Sequence, residues 1–400
     1  MTKEIINSIA NEIFSEVVEH RRFFHKNPEL SCNEKNTAAH ICSVLDKWGI
    51  PYKSNIGGYG IVAIIEGQNK GKCVALRADM DALSIQEEND VEYKSCNAGV
   101  MHACGHDAHM ASLLGTAYIL KKQKNDFNGT FKLIFQPSEE ALPGGALKMI
   151  NSDVLENPHV DAIIAQHVIP NLHTGKVGFR SGAYMASTDE IYITVNGRGG
   201  HGATQELNID PVVIIAQILI ALQQISSRFA KPATPTVLSF GRMIADGQTN
   251  IIPDKAILEG TFRTFDEDWR KKAHKLIEDI SKNTAAGFGA TCDVKIKHGY
   301  PFIFNNEEIT ALAKTAATEF LGKENVVDMP IRMTADDFAY FLQKTPGIFY
   351  RLGITNPETN QPSANQHTSK FDIDENALFT GMTYMSYLAL TLLKNLNDKK

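Results

Sequence analysis

Apolar positions recur at helical spacing between residues 10 and 49, with a break at Asn27-Pro28, which predicts two amphipathic helices in succession. Short apolar runs over 60–66 and 72–77 predict strands. Helix 109–122, strand 130–135, helix 145–151 and strand 160–166 then alternate, the order of a largely parallel sheet covered by helices. From about Thr188 the rhythm changes. Strand 190–196, helix 211–228, strands 236–244 and 256–265, helix 267–284 and strand 291–298 spell β-α-β-β-α-β, a ferredoxin-like pattern. After Pro301 a helix (307–321), a strand (347–352) and a terminal helix (375–396) resume the first pattern. The expected fold is therefore α/β: a main domain with a mixed, largely parallel sheet, residues 1–186 and 299–400, carrying an inserted domain at 187–298.

Four hundred residues suit two or three folding units. Forty Lys and Arg against 46 Asp and Glu leave a net charge of -6, so no broad basic field exists to gather phosphate backbones or anionic lipid. Neither nucleic acid nor membrane is expected as a partner. The longest apolar run, Val212 to Leu222, is interrupted by Gln217 and is about half of the roughly 20 residues that cross a bilayer, so it is expected to be a packed helix. The start of the chain lacks the basic segment and apolar block of an export signal, which predicts a cytoplasmic protein. Six cysteines, irregularly spaced and without a CxxC pair, fit reduced thiols.

The densest chemistry is Met101-His102-Ala103-Cys104-Gly105-His106-Asp107-Ala108-His109. Imidazole and thiolate together suit zinc and its neighbours, and spacing across a glycine lets Cys104 and His106 turn toward one point. A loop-packing cluster, or Cys104 as a nucleophile with a histidine base, are the alternatives. Strand 130–135 leads into Gln136-Pro137-Ser138-Glu139-Glu140, and strand 160–166 into His167. Carboxyl ends of strands are where open α/β sheets bind ligands, so Cys104, His106, Glu139, Glu140 and His167 have a common edge on which to meet. Asp81, in Arg77-Ala78-Asp79-Met80-Asp81-Ala82-Leu83, reaches the same edge and is expected to accept the second N–H of a metal-bound imidazole, with a salt bridge to Arg77 as the alternative. His367, in Asn365-Gln366-His367-Thr368-Ser369, follows the late strand.

Together with Arg22 to Ser31, Gly144-Gly145-Ala146, Gly199-Gly200-His201-Gly202-Ala203 and Phe371, these motifs cover nearly the whole chain. The chain resembles the dinuclear-metal amidohydrolases of the aminoacylase and carboxypeptidase family, in the branch of hippurate and indole-acetyl-amino-acid hydrolases. The resemblance implies that Cys104, His106, Glu140, His167 and His367 hold two divalent metal ions, zinc first, with manganese, cobalt or nickel as alternatives. It implies that Glu139 is the general base that takes the proton of the attacking water and passes it to the departing amine.

The inserted domain is implied to act as lid and dimerisation domain of a homodimer. His201 resembles a lid histidine that reaches a neighbouring subunit's site to stabilise the oxyanion. Asn250 and Arg263 resemble a pair that holds the substrate carboxylate, a task suited to the planar fork of arginine. Asn196-Gly197-Arg198-Gly199-Gly200-His201-Gly202 has the wrong spacing for a dinucleotide loop. The implied reaction is hydrolysis of N-acyl amino acids, small molecules of the hippurate, N-acetyl or indole-acetyl type; a dipeptidase or carboxypeptidase, or an inactive metal-holding binder, are the alternatives. Thr204-Gln205-Glu206, Met333 to Phe338 and Ser84 depart from the branch pattern and leave acyl and amino-acid preference open.

Overall fold

The computed structural model describes residues 2–359 and 364–399, which form two compact units. The first comprises Met1–Tyr184, Phe304–Ile331 and Asp337–Lys400. Its leading elements are helices α1 (Lys3–Lys26) and α2 (Lys35–Lys47) and strands β1 (Tyr52–Ile56), β2 (Gly60–Glu66) and β3 (Cys73–Asp79). Helix α3 (His106–Lys122), β4 (Thr130–Gln136), α4 (Gly145–Ile150), β5 (Ala162–His173) and β6 (Val177–Phe179) follow. The sheet runs in the order β1, β2, β4, β3, β5, Gly347–Thr355, β6, Val326–Asp328. Its four central strands, β4, β3, β5 and Gly347–Thr355, are mutually parallel, and antiparallel pairs flank them.

The centre of this sheet explains its own sequence. All seven residues of β3 are buried, so it is an unbroken apolar run closed by charged residues at its carboxyl end, as strands covered on both faces are. Helix α3 is buried on nearly every side and packs against α1 and the terminal helix Ala377–Asp398, so it lacks an amphipathic stripe. It starts three residues before the predicted position, because its first turn is built from the polar residues His106 and Asp107. Ahead of it, Gly105 sits at φ 90°, and a Cβ there would collide with the side chain of Val168. Only glycine turns the chain sharply enough to set Cys104 and His106 side by side.

The second unit comprises Met185–Ile303 with Arg332–Asp336. Its antiparallel sheet has the order Thr236–Ile244, Lys255–Thr264, Asp189–Asn196, Thr291–His298, the arrangement a β-α-β-β-α-β chain adopts when its two helices share one face. Along Asp189–Asn196 burial alternates strictly, and Ile191, Ile193 and Val195 meet Ile214, Ile215, Ile218 and Leu222 of helix Pro211–Gln224. That helix has Pro211 in its first turn, and the Asp210 carboxylate accepts the N–H of Val212. The segment Arg332–Asp336, which the sequence reading leaves in the main domain, is tied here by Ala186 N–H donating to the Arg332 carbonyl at 3.0 Å.

Pro211–Gln224 continues through a wider turn to Phe229. The resulting 19 residues are long and apolar enough to cross a membrane by length and composition, more than the interrupted run suggests. One face of the helix lies in the core of the second unit, while Val213 and Ile220 on the other are 53% and 65% exposed.

Candidate metal centre

Five donor side chains of the first unit come together: Cys104 and His106 at the amino end of α3, Glu140 just past the carboxyl end of β4, His167 within β5, and His367 in the loop after strand Gly347–Thr355. Strand β5 runs on to His173, where the sequence predicts an end at 166. Donor atoms of Cys104, His106 and His167 lie within 4.8 Å of one another, and so do those of Cys104, Glu140 and His367. The Cys104 sulfur belongs to both triads. Glu139 joins His106 and Glu140 in a third cluster of the same span.

Hydrogen bonds fix which imidazole nitrogens carry protons. His106 Nδ1 lies 2.8 Å from the Asp81 carbonyl, and His167 Nδ1 lies 2.9 Å from the Val168 carbonyl. A carbonyl only accepts, so both Nδ1 atoms donate and both Nε2 lone pairs face the cluster. His167 Nε2 is 3.6 Å from the Cys104 sulfur.

The electrostatics of this donor set fit a cation. Among the described residues, His106 Nε2 and Glu140 Oε1 are buried with no hydrogen-bond partner. Burial raises the Cys104 thiol, and the Glu140 carboxylate raises it further. His367, against Cys104 and Glu140, is raised to about 10. Burial opposes a charge on His106, but Asp79 and then Cys104 lift it well above its ordinary value. Burial, then the charge of Arg351, pushes His167 well below. One sulfur, three imidazoles and a carboxylate gathered at one place are the donors a divalent ion takes, a set that suits zinc or its neighbours.

Asp81 departs from its expected contact. It holds His106 through its backbone carbonyl, with the carboxylate Oδ1 farther away at 3.4 Å. The carboxylate accepts the N–H of Glu139 on Oδ1 (3.0 Å) and the N–H of Glu140 on Oδ2 (2.9 Å), and Ser31 Oγ also donates to Oδ2 at 2.6 Å. Arg77 reaches Asp79 (2.6 Å), Gln136 (2.8 Å) and Asp337 (3.0 Å).

Residues 75–391 match the model of peptidase family M20/M25/M40. The chain belongs to this family. It is 39% identical over 390 residues to thermostable carboxypeptidase 2 of Saccharolobus solfataricus (strain ATCC 35092 / DSM 1617 / JCM 11322 / P2), covering 97% of this chain and 98% of that one. It is 40% identical over 308 residues to an N-acyl-L-amino acid amidohydrolase of Geobacillus stearothermophilus, 77% of this chain and 83% of the relative. Among solved structures, the Bacillus subtilis YXEP protein, a dinuclear metal-binding peptidase of the M20 family, superposes with a TM-score of 0.83 at 33% identity, covering 96% of this chain and 99% of that one. This M20 chain is thus a metal-binding hydrolase.

The other three expected residues of this M20 protein, His201, Asn250 and Arg263, belong to the second unit. His201 is exposed, and its Nδ1 accepts the N–H of Ala203 at 3.1 Å. Asn250 sits beside it, its carbonyl accepting the N–H of Gly202 at 2.9 Å. Arg263 Nη1 donates to the Met333 carbonyl at 2.7 Å. Sequence reasoning assigned no role to Asp79 or His109. His109 Nδ1 lies 2.6 Å from Asp79 Oδ1, and both are buried beside His106. The available signal was a third histidine one helical turn after His106, on the same face of α3.

Proposed function

We propose that this M20 protein hydrolyses the amide bond of N-acyl amino acids, with Cys104, His106, Glu140, His167 and His367 holding two divalent ions and Glu139 acting as general base. The observation that carries this reading is the pair of triads sharing Cys104, with the Glu139 carboxylate beside them. Two bound cations would supply Lewis acidity, lowering the pKa of water and polarising the amide carbonyl. Glu139 takes a proton from the attacking water as its oxygen bonds to the carbonyl carbon. The same carboxyl group then gives that proton to the amine nitrogen as the C–N bond breaks. Asp81 aims both glutamates by their backbones. Arg263 and Asn250 hold the α-carboxylate of the leaving amino acid, and His201 donates to the developing oxyanion.

Glu139→Gln should keep both metal equivalents while turnover falls by about 10²- to 10⁴-fold. Glu140→Gln should lose metal. Full activity in the first variant overturns the mechanism, and metal loss there reverses the roles of the two glutamates. A panel of N-acetyl, N-benzoyl and indole-acetyl amino acids with dipeptides separates this reading from a second one. The likeness to a carboxypeptidase over nearly the full chain favours cleavage of a C-terminal residue by the same groups. Elemental analysis of the purified protein names the metal, for which the thiolate and imidazoles favour zinc over manganese, cobalt or nickel.

The protein works as a homodimer joined through the second unit. Val213 and Ile220 lie seven positions apart on the exposed face of helix Pro211–Gln224, a place for a second copy to bury. Mixing His201→Ala with Glu139→Gln subunits should restore activity if His201 serves its neighbour's site. Six free cysteines favour a reducing compartment, the cytoplasm.

A further inference from the structure

We infer that His109 is a positioning residue, which sets His167 in place by accepting the backbone N–H of Val168. Strands β3 and β5 pair only as far as Arg77 against Ala165, so three residues later the N–H of Val168 has left that ladder. There the N–H donates to His109 Nε2 at 2.9 Å, in the buried interior. A backbone N–H only donates, so Nε2 must accept and the His109 proton lies on Nδ1, which donates to Asp79 Oδ1 at 2.6 Å. Asp79 in turn is held by Arg77 at 2.6 Å. The chain Arg77–Asp79–His109 thus ends on one residue, Val168, whose carbonyl accepts the Nδ1–H of His167. Both polar backbone groups of Val168 are committed, one to each histidine, and the His109 and His167 rings pack with centroids 4.5 Å apart.

This arrangement excludes His109 as a metal ligand, although its donor atoms lie close to those of Asp79 and His106. Both of its ring nitrogens are already in use. The bond it makes to Val168 instead fixes the strand that presents His167, so the Nε2 lone pair of His167 faces Cys104. Partners one step removed from a ligand commonly change metal affinity about 10- to 100-fold when removed.

The inference rests on the reading of His167 as a ligand, and two substitutions with a control separate the two. In His109→Gln the side-chain carbonyl reaches the position of Nε2 and can still accept from Val168, while the donor to Asp79 is lost. In His109→Asn the amide sits where Nδ1 was, keeping Asp79 and abandoning Val168. Metal-free protein is titrated with Co²⁺ alone, followed by calorimetry and by the thiolate-to-cobalt absorption of Cys104, with hydrogen exchange read at Val168. Affinity for one Co²⁺ equivalent should fall about ten-fold or more in the asparagine variant and stay within about three-fold in the glutamine variant, with faster exchange at Val168 only in the former. Equal losses in both variants, or a loss in the glutamine variant alone, would overturn the assignment. So would wild-type affinity in the asparagine variant. A His167→Ala control that binds both equivalents as tightly as the parent would instead strike the ligand reading itself.

Discussion

The Asp81 carboxylate clamps Glu139 through its backbone, Oδ1 accepting the Glu139 N–H at 3.0 Å while Oδ2 accepts the next N–H, that of Glu140, at 2.9 Å. One fully buried carboxylate thus fixes the direction in which two adjacent glutamates leave β4. Burial works against its ionisation, but the nearby His106 imidazole, 3.4 Å from Oδ1, then the Ser31 hydroxyl and the Glu140 N–H, hold its pKa below the usual carboxylate value. An amide in its place presents one acceptor and one donor, so one of the two N–H groups is left facing N–H. The His106 bond to the Asp81 backbone is untouched, which isolates the carboxylate. Asp81→Asn should therefore lower kcat by about 10- to 100-fold with little change in KM. Unchanged kcat would mean the clamp is dispensable.

Buried and without a hydrogen-bond partner among the described residues, His106 Nε2 and Glu140 Oε1 predict that metal removal is felt by the fold as well as by turnover. A ligand present at a hundredfold excess over its Kd and bound only to the native state contributes about 2.7 kcal/mol. Dialysis against a chelator should abolish hydrolysis and lower the melting temperature. Zinc, manganese or cobalt should restore both. Calorimetric scans of the stripped and reloaded protein provide the check; identical midpoints would separate the donor set from stability.

How much of this was legible in the sequence depended on whether a period was present. The second unit was readable because Asp189–Asn196 alternates buried and half-buried positions and Asp210-Pro211 marks a helix start. The first turn of α3 was not, because His106 and Asp107 are buried polar residues that look like loop. Cys104 and His106 stood out as a cluster ahead of a helix and Glu139, Glu140 and His167 as ligand types after apolar runs, while His367 was a weak signal that joined them only through the resemblance. The two roles of Asp81 divide between its backbone and its side chain, a distinction no residue name carries. Contacts such as Gln136 Nε2 to the Asp337 carboxylate at 2.8 Å join positions 201 residues apart, and nothing periodic announces them.

Gly145 offers a test of the turn that carries the glutamates. Its N–H donates to the Ser138 carbonyl at 2.9 Å, and a Cβ on Gly145 would run into the Pro137 carbonyl oxygen. That oxygen belongs to backbone and cannot swing aside. Gly145→Ala should cost more than about 1 kcal/mol in denaturant unfolding. It should also displace Ser138 to Glu140 enough to lower kcat. Parental stability and activity together would show that the Pro137 peptide moves freely.

The second unit has its own dependence on pH. Asp189 is buried, its Oδ1 accepting from Arg270 Nη2 at 2.6 Å and its Oδ2 from Arg270 Nε and His274 Nε2, each at 2.8 Å. Burial opposes the charge, yet the hydrogen bonds from Arg270 and then His274 bring the pKa down to about 2, below the ordinary aspartate value of 3.8. Because the folded value is depressed, the carboxylate's contribution is complete above about pH 4 and drains away as pH falls toward 2. At about 1.4 kcal/mol per unit, the interval corresponds to roughly 2 kcal/mol. Asp189→Asn should destabilise the unit at neutral pH and flatten this part of the acid limb, since no proton is then taken up on unfolding. Urea unfolding between pH 2 and 5, followed through Trp269, which packs in the same unit, measures both effects. An asparagine variant with the parental acid slope would assign that slope to other carboxylates.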